Sequence, residues 1–134
     1  FKTSKGKYVA PAPIENRLAV HPRIEQVCVI GDGLAQPLAL CVLSEVGRSE
    51  AEAGRRAELE SSLKTLLSAV NAELDKHERL TGLILVGDVW AVDNGFLTPT
   101  LKIKRTVVEG AYGEHFAGWV ARGEAVLWHE ATSP

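Results

Sequence analysis

No stretch of this chain stays apolar for the roughly 18 to 20 residues that a bilayer-spanning helix requires, so a membrane-spanning segment is not expected. Excess positive charge is missing as well. The 15 Lys and Arg residues are outnumbered by 17 Asp and Glu, leaving a net charge of −2. Nonspecific nucleic-acid binding draws on a strongly basic surface, so nucleic acid is not an expected partner. Cysteine is scarce: Cys28 and Cys41 lie in separate apolar runs with no histidine or second cysteine at zinc-ligand spacing, which argues against a metal site. If those runs pair about Leu34 and Ala35, Cys28 falls opposite Cys41, yet the expectation is two buried free thiols in a reducing compartment. Internal repeats and low-complexity tracts are lacking. The opening Phe1-Lys2-Thr3-Ser4-Lys5 does not resemble a signal peptide, so the expected location is cytoplasmic.

What remains is ordinary globular material. The 134 residues are 46% hydrophobic and 24% charged, enough for one domain with a single modest core. Phe1 to Val9 reads as part of a hairpin with Gly6 in its turn. Pro11 and Pro13 break the extended segment, with Pro13 suited to the first position of a helix that carries Ile14 and Leu18 and that Pro22 ends. Val27–Ile30 and Leu38–Leu43 read as antiparallel strands. The pattern Ser49-Glu50-Ala51-Glu52 suggests a capping box and a short helix. From Arg56 to about Arg79, Leu59, Leu63, Leu66, Leu67, Val70 and Leu74 recur at helical spacing, with Glu60 and Lys64 as an outward pair. Leu83–Val86 is short and apolar enough to be a central strand. A final helix is expected from near Lys104, weakened by Gly110 and Gly113; beyond Trp119 the pattern does not choose between helix and irregular tail. The expected fold is α+β: a small three-stranded, mainly antiparallel sheet flanked by helices, with an N-terminal β-hairpin.

One segment carries chemistry. Leu97-Thr98-Pro99-Thr100-Leu101-Lys102-Ile103-Lys104-Arg105 is a stiff, exposed loop, opened by Asp93-Asn94-Gly95, that places three cations at a helix entrance. Cations there oppose the helix dipole. The loop is either merely solvated or an arm that meets a phosphate or carboxylate supplied from elsewhere.

This segment resembles the last core motif of the adenylate-forming enzymes, and its Leu-Thr-Pro-Thr form is similar to that of the long-chain fatty acid–CoA ligases. Phe1-Lys2-Thr3-Ser4-Lys5-Gly6-Lys7-Tyr8-Val9 and the residues to Glu15 resemble the same family's hinge-proximal hairpin. The resemblance runs from Phe1 to about Phe116; residues 117–134 match nothing. It implies that the chain is the C-terminal lid domain of such a ligase and that Lys102 is its catalytic adenylation lysine. Leu101 departs from the glycine that many members carry before this lysine, as the long-chain branch does. Gly6 and Lys7 would line the coenzyme A channel, although Lys5 stands where relatives often have a second glycine. Lys104 and Arg105 are expected to be structural or surface charges.

The resemblance further implies ATP, coenzyme A and Mg2+ for the full-length enzyme, with none bound to this domain alone. Its partners would be its own N-terminal adenylation domain and a long-chain fatty acid; peripheral membrane association of the full-length enzyme is compatible with it. The phosphate loop, adenine pocket and fatty-acid tunnel would lie upstream of Phe1, so the isolated domain is expected to be inactive. The alternatives are a fatty acyl-AMP ligase that hands its acyl group to a carrier protein, and a non-catalytic binding module of the same fold. His21, His77, His115 and His129 read as surface or capping residues. Trp90, Trp119 and Trp128 read as core or interface anchors, and Glu15 as a carboxylate placed for the helix dipole.

Overall fold

In the computed structural model, which describes residues 1–130, the chain runs through α1 (Pro11–Ala19), β1 (Ile24–Ile30), β2 (Leu38–Leu43), α2 (Glu45–Glu52) and α3 (Arg56–Ala72). A 3-10 turn (Lys76–Glu78), β3 (Leu83–Val86), α4 (Arg105–Arg122) and β4 (Val126–His129) follow. The strands form one four-stranded sheet in the order β1-β2-β3-β4. β1 and β2 are antiparallel, whereas β2–β3 and β3–β4 are parallel. The sheet is therefore mixed and has one strand more than the sequence led us to expect. A crossover through helices returns the chain to the end of the sheet where it started, and that makes the next strand parallel. Two such crossovers occur, through α2 and α3 and then through α4.

Alternation along the strands divides the apolar residues between two cores. Val27, Val29, Ala39, Cys41, Leu83, Leu85 and Val126 face α1 and α3, meeting Ile14, Leu18, Leu59, Leu63 and Leu67. Cys28, Ile30, Leu40, Val42, Ile84, Val86 and Leu127 face the other way, onto Val108, Tyr112 and Trp119 of α4. A strand covered on both faces needs no polar positions, so β2 and β3 are uninterrupted apolar runs. The register pairs Cys28 with Leu40 and Val27 with Cys41, one residue away from the expected pairing of the two cysteines. A shift of one residue turns a side chain to the opposite face. Cys28 and Cys41 consequently lie in different cores as free thiols, and burial pushes the pKa of each up to about 12.

Several boundaries move for local reasons. Pro11, not Pro13, opens α1. The cap of α2 is Ser44, whose Oγ accepts the Gly47 N–H at 3.3 Å, rather than Ser49. The long helix stops at Ala72, and His77 belongs to the 3-10 turn that follows it. Glu60 is not simply an outward charge: its carboxylate accepts a hydrogen bond from the Trp128 indole on β4. α4 continues through Gly110 and Gly113 to Arg122, where Gly123 caps it at φ +61°. Of the segment 117–134, residues up to Arg122 belong to α4 and Val126–His129 form β4; 131–134 lie outside the described residues.

Gly82 permits the last parallel pairing to start, since a Cβ there would lie 2.2 Å from the Glu124 carbonyl oxygen. Gly82→Ala is expected to force β3 from the chain entering β4 and to destabilise the domain by about 2 to 3 kcal/mol. Gly110 lies in α4 with open space where a Cβ would stand, nothing coming within 4 Å, so Gly110→Ala is expected to stabilise the domain by about 0.5 to 1 kcal/mol. Urea denaturation midpoints of the two variants check the opposed signs.

Candidate functional site

The loop that carries Lys102 is a tight hairpin. The Thr98 N–H donates to the Lys102 carbonyl at 2.8 Å, the Leu101 N–H to the Thr98 carbonyl at 2.8 Å, and the Lys102 N–H to Thr98 Oγ1 at 3.0 Å. Leu97 and Ile103 close its base as an antiparallel bridge. Pro99 suits the position after Thr98, because its ring fixes φ near about −65°. Leu101 then takes φ +65°, the left-handed conformation that favours glycine.

The N-terminal hairpin is the same device. The Thr3 N–H donates to the Lys7 carbonyl at 2.9 Å, the Gly6 N–H to the Thr3 carbonyl at 3.0 Å, and the Lys7 N–H to Thr3 Oγ1 at 3.3 Å. Lys2 and Tyr8 form its bridge, and Gly6 stands at φ +80°. Each turn is thus a threonine, two linking residues, a left-handed residue and a lysine. A Cβ on Gly6 would come no closer than 3.8 Å to another group, so within this chain its backbone angle, not crowding, calls for glycine. The hairpins rest on different supports. Ser4 and Gly33 tie the first to the β1–β2 loop, through hydrogen bonds to Leu34 and Lys2. The second is tied to the preceding loop by Leu97 N–H to the Ala91 carbonyl and Lys104 N–H to the Phe96 carbonyl.

The helices that follow the hairpins meet across the edge of the sheet. Glu15 of α1 accepts the Val29 N–H at 2.8 Å and pairs with Arg105 of α4 at 3.0 Å. Arg105 also donates to the Val29 carbonyl and to Cys28 Sγ, the latter at 3.3 Å. β1 is an edge strand, and its outward amide and carbonyl at Val29 are both satisfied by this ion pair. Burial alone would lower the Arg105 pKa, but the hydrogen bond to Glu15 and the neighbouring acidic groups raise it above the ordinary arginine value. Glu15 is the fifth residue of α1, past its first turn, so it serves this pair rather than the helix dipole. Arg105 is structural, as expected. Lys102 and Lys104 are exposed and have no ion-pair partner among the described residues.

Loop 87–96 is held by aromatics whose meeting no local pattern in the sequence announces. Trp90 stacks on Phe96 at 5.8 Å between ring centroids and donates to the Tyr112 hydroxyl at 3.2 Å. Tyr112 in turn donates to Asp88 at 2.7 Å. His129 is packed within this group, 4.7 Å from His115 and 5.2 Å from Trp119. Burial, then the charge of His115, lowers its pKa. Among the described residues no three His, Cys, Asp or Glu side chains are grouped to hold a metal ion.

Both hairpins and the ion pair between their helices lie within a segment that known proteins share. Residues 2–120 match the family of AMP-binding enzyme C-terminal domains, and the chain belongs to that family. It is 33% identical over 116 residues to a chloroplastic long-chain-fatty-acid–acyl-carrier-protein ligase of Arabidopsis thaliana, an alignment covering 83% of this chain and 15% of the relative. It is 30% identical over 120 residues to long-chain-fatty-acid–CoA ligase 1 of Cavia porcellus, covering 78% and 17% of the two chains. The A domain of a carboxylic acid reductase from Segniliparus rugosus, solved with AMP and a co-purified carboxylic acid, superposes with a TM-score of 0.73 at 26% identity. That alignment covers 91% of this chain and 20% of the other. The chain therefore spans about a fifth or less of the length of these relatives.

The Glu15–Arg105 pair is partly shielded, which predicts a measurable loss when one member goes. Arg105→Met is expected to cost about 2 kcal/mol, because it strands the Glu15 carboxylate and frees the Val29 carbonyl. Lys104→Met is expected to cost under about 0.5 kcal/mol. Equilibrium urea unfolding of the two variants provides the comparison.

Proposed function

We propose that this chain is the C-terminal domain of a long-chain fatty acid–CoA ligase and that Lys102 is its adenylation lysine. The observation that carries the reading is the placement of Lys102. Of the three cations in the segment, Arg105 is committed to Glu15 and Val29, whereas Lys102 stands at the last position of a rigid turn with its ammonium available. In the reaction proposed for the full-length protein, a fatty-acid carboxylate oxygen attacks the α-phosphorus of ATP and pyrophosphate leaves. The thiol of coenzyme A then attacks the acyl carbonyl and AMP departs. In the first step two anions are pressed together, and the Lys102 ammonium would neutralise charge where it accumulates, without transferring a proton. The lysine's backbone is already fixed by three hydrogen bonds in its turn, so little reorganisation is needed. Mg2+ would be held by residues outside this chain.

Gly6 and Lys7 are proposed to serve the second step. The first hairpin would face the pantetheine arm of coenzyme A after the domain turns about its hinge, as lid domains do when they gate successive steps. A glycine at the tip leaves the backbone open to close approach. The similarity to an acyl-carrier-protein ligase supports a second reading, in which a carrier-protein thiol takes the acyl group. Offering coenzyme A and a holo carrier protein to the same enzyme separates the two.

Lys102→Ala in the full-length protein is expected to lower pyrophosphate release by on the order of 10² to 10³, the equivalent of about 3 to 4 kcal/mol. Thioester formation from supplied acyl-adenylate should stay near normal. Lys104→Ala is the control and should cost little. Normal pyrophosphate release by Lys102→Ala would remove this lysine from the mechanism. Gly6→Leu should show the opposite pattern, slowing consumption of acyl-adenylate by the thiol more than it slows adenylation. Equal loss in both half-reactions would mean that the hairpin itself had collapsed.

A further inference from the structure

Leu101 is anomalous in two ways at once. It is the only non-glycine residue with positive φ among the described residues, and its side chain is among the most exposed large apolar groups, at 68%. A left-handed backbone at a branched residue costs about 1 to 2 kcal/mol, and an apolar side chain left in water gains nothing from burial. The turn does not explain the choice. The first hairpin builds the same hydrogen-bond pattern with glycine at the equivalent position, so glycine would form this turn without the strain. What leucine adds is therefore the side chain, at the residue next to Lys102. Strain retained at such a position points to a use outside the turn.

We propose that Leu101 is a positioning residue, an apolar anchor that docks onto the adenylation domain of the same protein beside its carboxylate site and so seats Lys102 for the first half-reaction. The occupant is chosen on two grounds. This chain makes up about a fifth or less of its relatives, and a solved A domain that contains this fold holds AMP and a carboxylic acid. Leu101 is the residue next to Lys102 and both are exposed, so a surface that Lys102 meets lies within a few ångströms of the Leu101 backbone. A flexible lysine stem alone fixes its ammonium poorly, since it has four rotatable bonds. A buried leucine one residue away would fix the turn, while the proline at position 99 keeps the loop from yielding. The inference rests on the proposed role of Lys102.

The test uses the full-length protein with three substitutions at one site. Leu101→Gly relieves the backbone and deletes the anchor. Leu101→Asn tolerates the left-handed conformation and keeps similar bulk, but is polar. Leu101→Met keeps an apolar side chain of similar size. Expected are losses of about ten- to a hundredfold in pyrophosphate release for the Gly and Asn variants, the fold-change that corresponds to forfeiting one buried leucine. Leu101→Met should restore most of the rate, and all three should form thioester from supplied acyl-adenylate at the normal rate. If the Gly and Asn variants adenylate as fast as the parent, or faster, the anchor is overturned. Lys102→Ala, run alongside, keeps the two ideas apart. Its loss of adenylation together with normal Gly and Asn variants sinks the anchor alone, and its normal adenylation sinks the lysine's role itself. Equal losses in both half-reactions for the Asn variant would also overturn the proposal, since an anchor used only in adenylation cannot slow thioester formation.

Discussion

The ion pair between Glu15 and Arg105 organises this domain, because it is the place where the two faces of the sheet are joined. Its residues come from helices in different cores, and both reach the same residue of the edge strand, Val29. Exposed ion pairs contribute little, but a partly shielded pair that also satisfies a backbone amide and carbonyl does more than attract. It closes the sheet edge against pairing with another chain and sets α1 and α4 at one relative position. Each helix follows directly on one of the two hairpins, so the pair also sets the relative stance of Gly6 and Lys102.

The repeated turn gives the hairpins a common logic. Each threonine accepts a backbone N–H through its Oγ1, so the loop carries its own internal hydrogen bonds and needs few from the domain. Rigid loops on a rigid scaffold hold the residues they carry in one position relative to the domain. The difference between the turns, glycine in one and leucine in the other, then becomes informative about what each tip meets.

Much of this was legible in the sequence where local rules act alone. Helical spacing located α3, continuous apolar runs located β1, β2 and β3, and the Asn-Gly and proline signals placed the loop that precedes α4. What escaped depended on contacts distant in sequence. β4 is four residues long, and only its pairing with β3 makes it a strand. The parallel arrangement follows from crossovers that no local pattern reports. Glu15 looked like a dipole residue because its partners lie at positions 29 and 105, far along the chain. Leu101 could be seen to replace a glycine, but that the backbone keeps the glycine's conformation is a property of the folded turn alone.

The position of β4 also bears on how the domain comes into being. It is the last element among the described residues, yet it lies against β3 and contributes Val126 to one core and Leu127 to the other. A domain synthesised from its N-terminus can pair β1 with β2 early, since these are neighbours along the chain. It cannot cover β3 until α4 has crossed over and residues 126–129 have emerged. Until residues 126–129 have emerged, the outer edge of β3 therefore stays unpaired, and an open strand edge is a template for pairing with other chains.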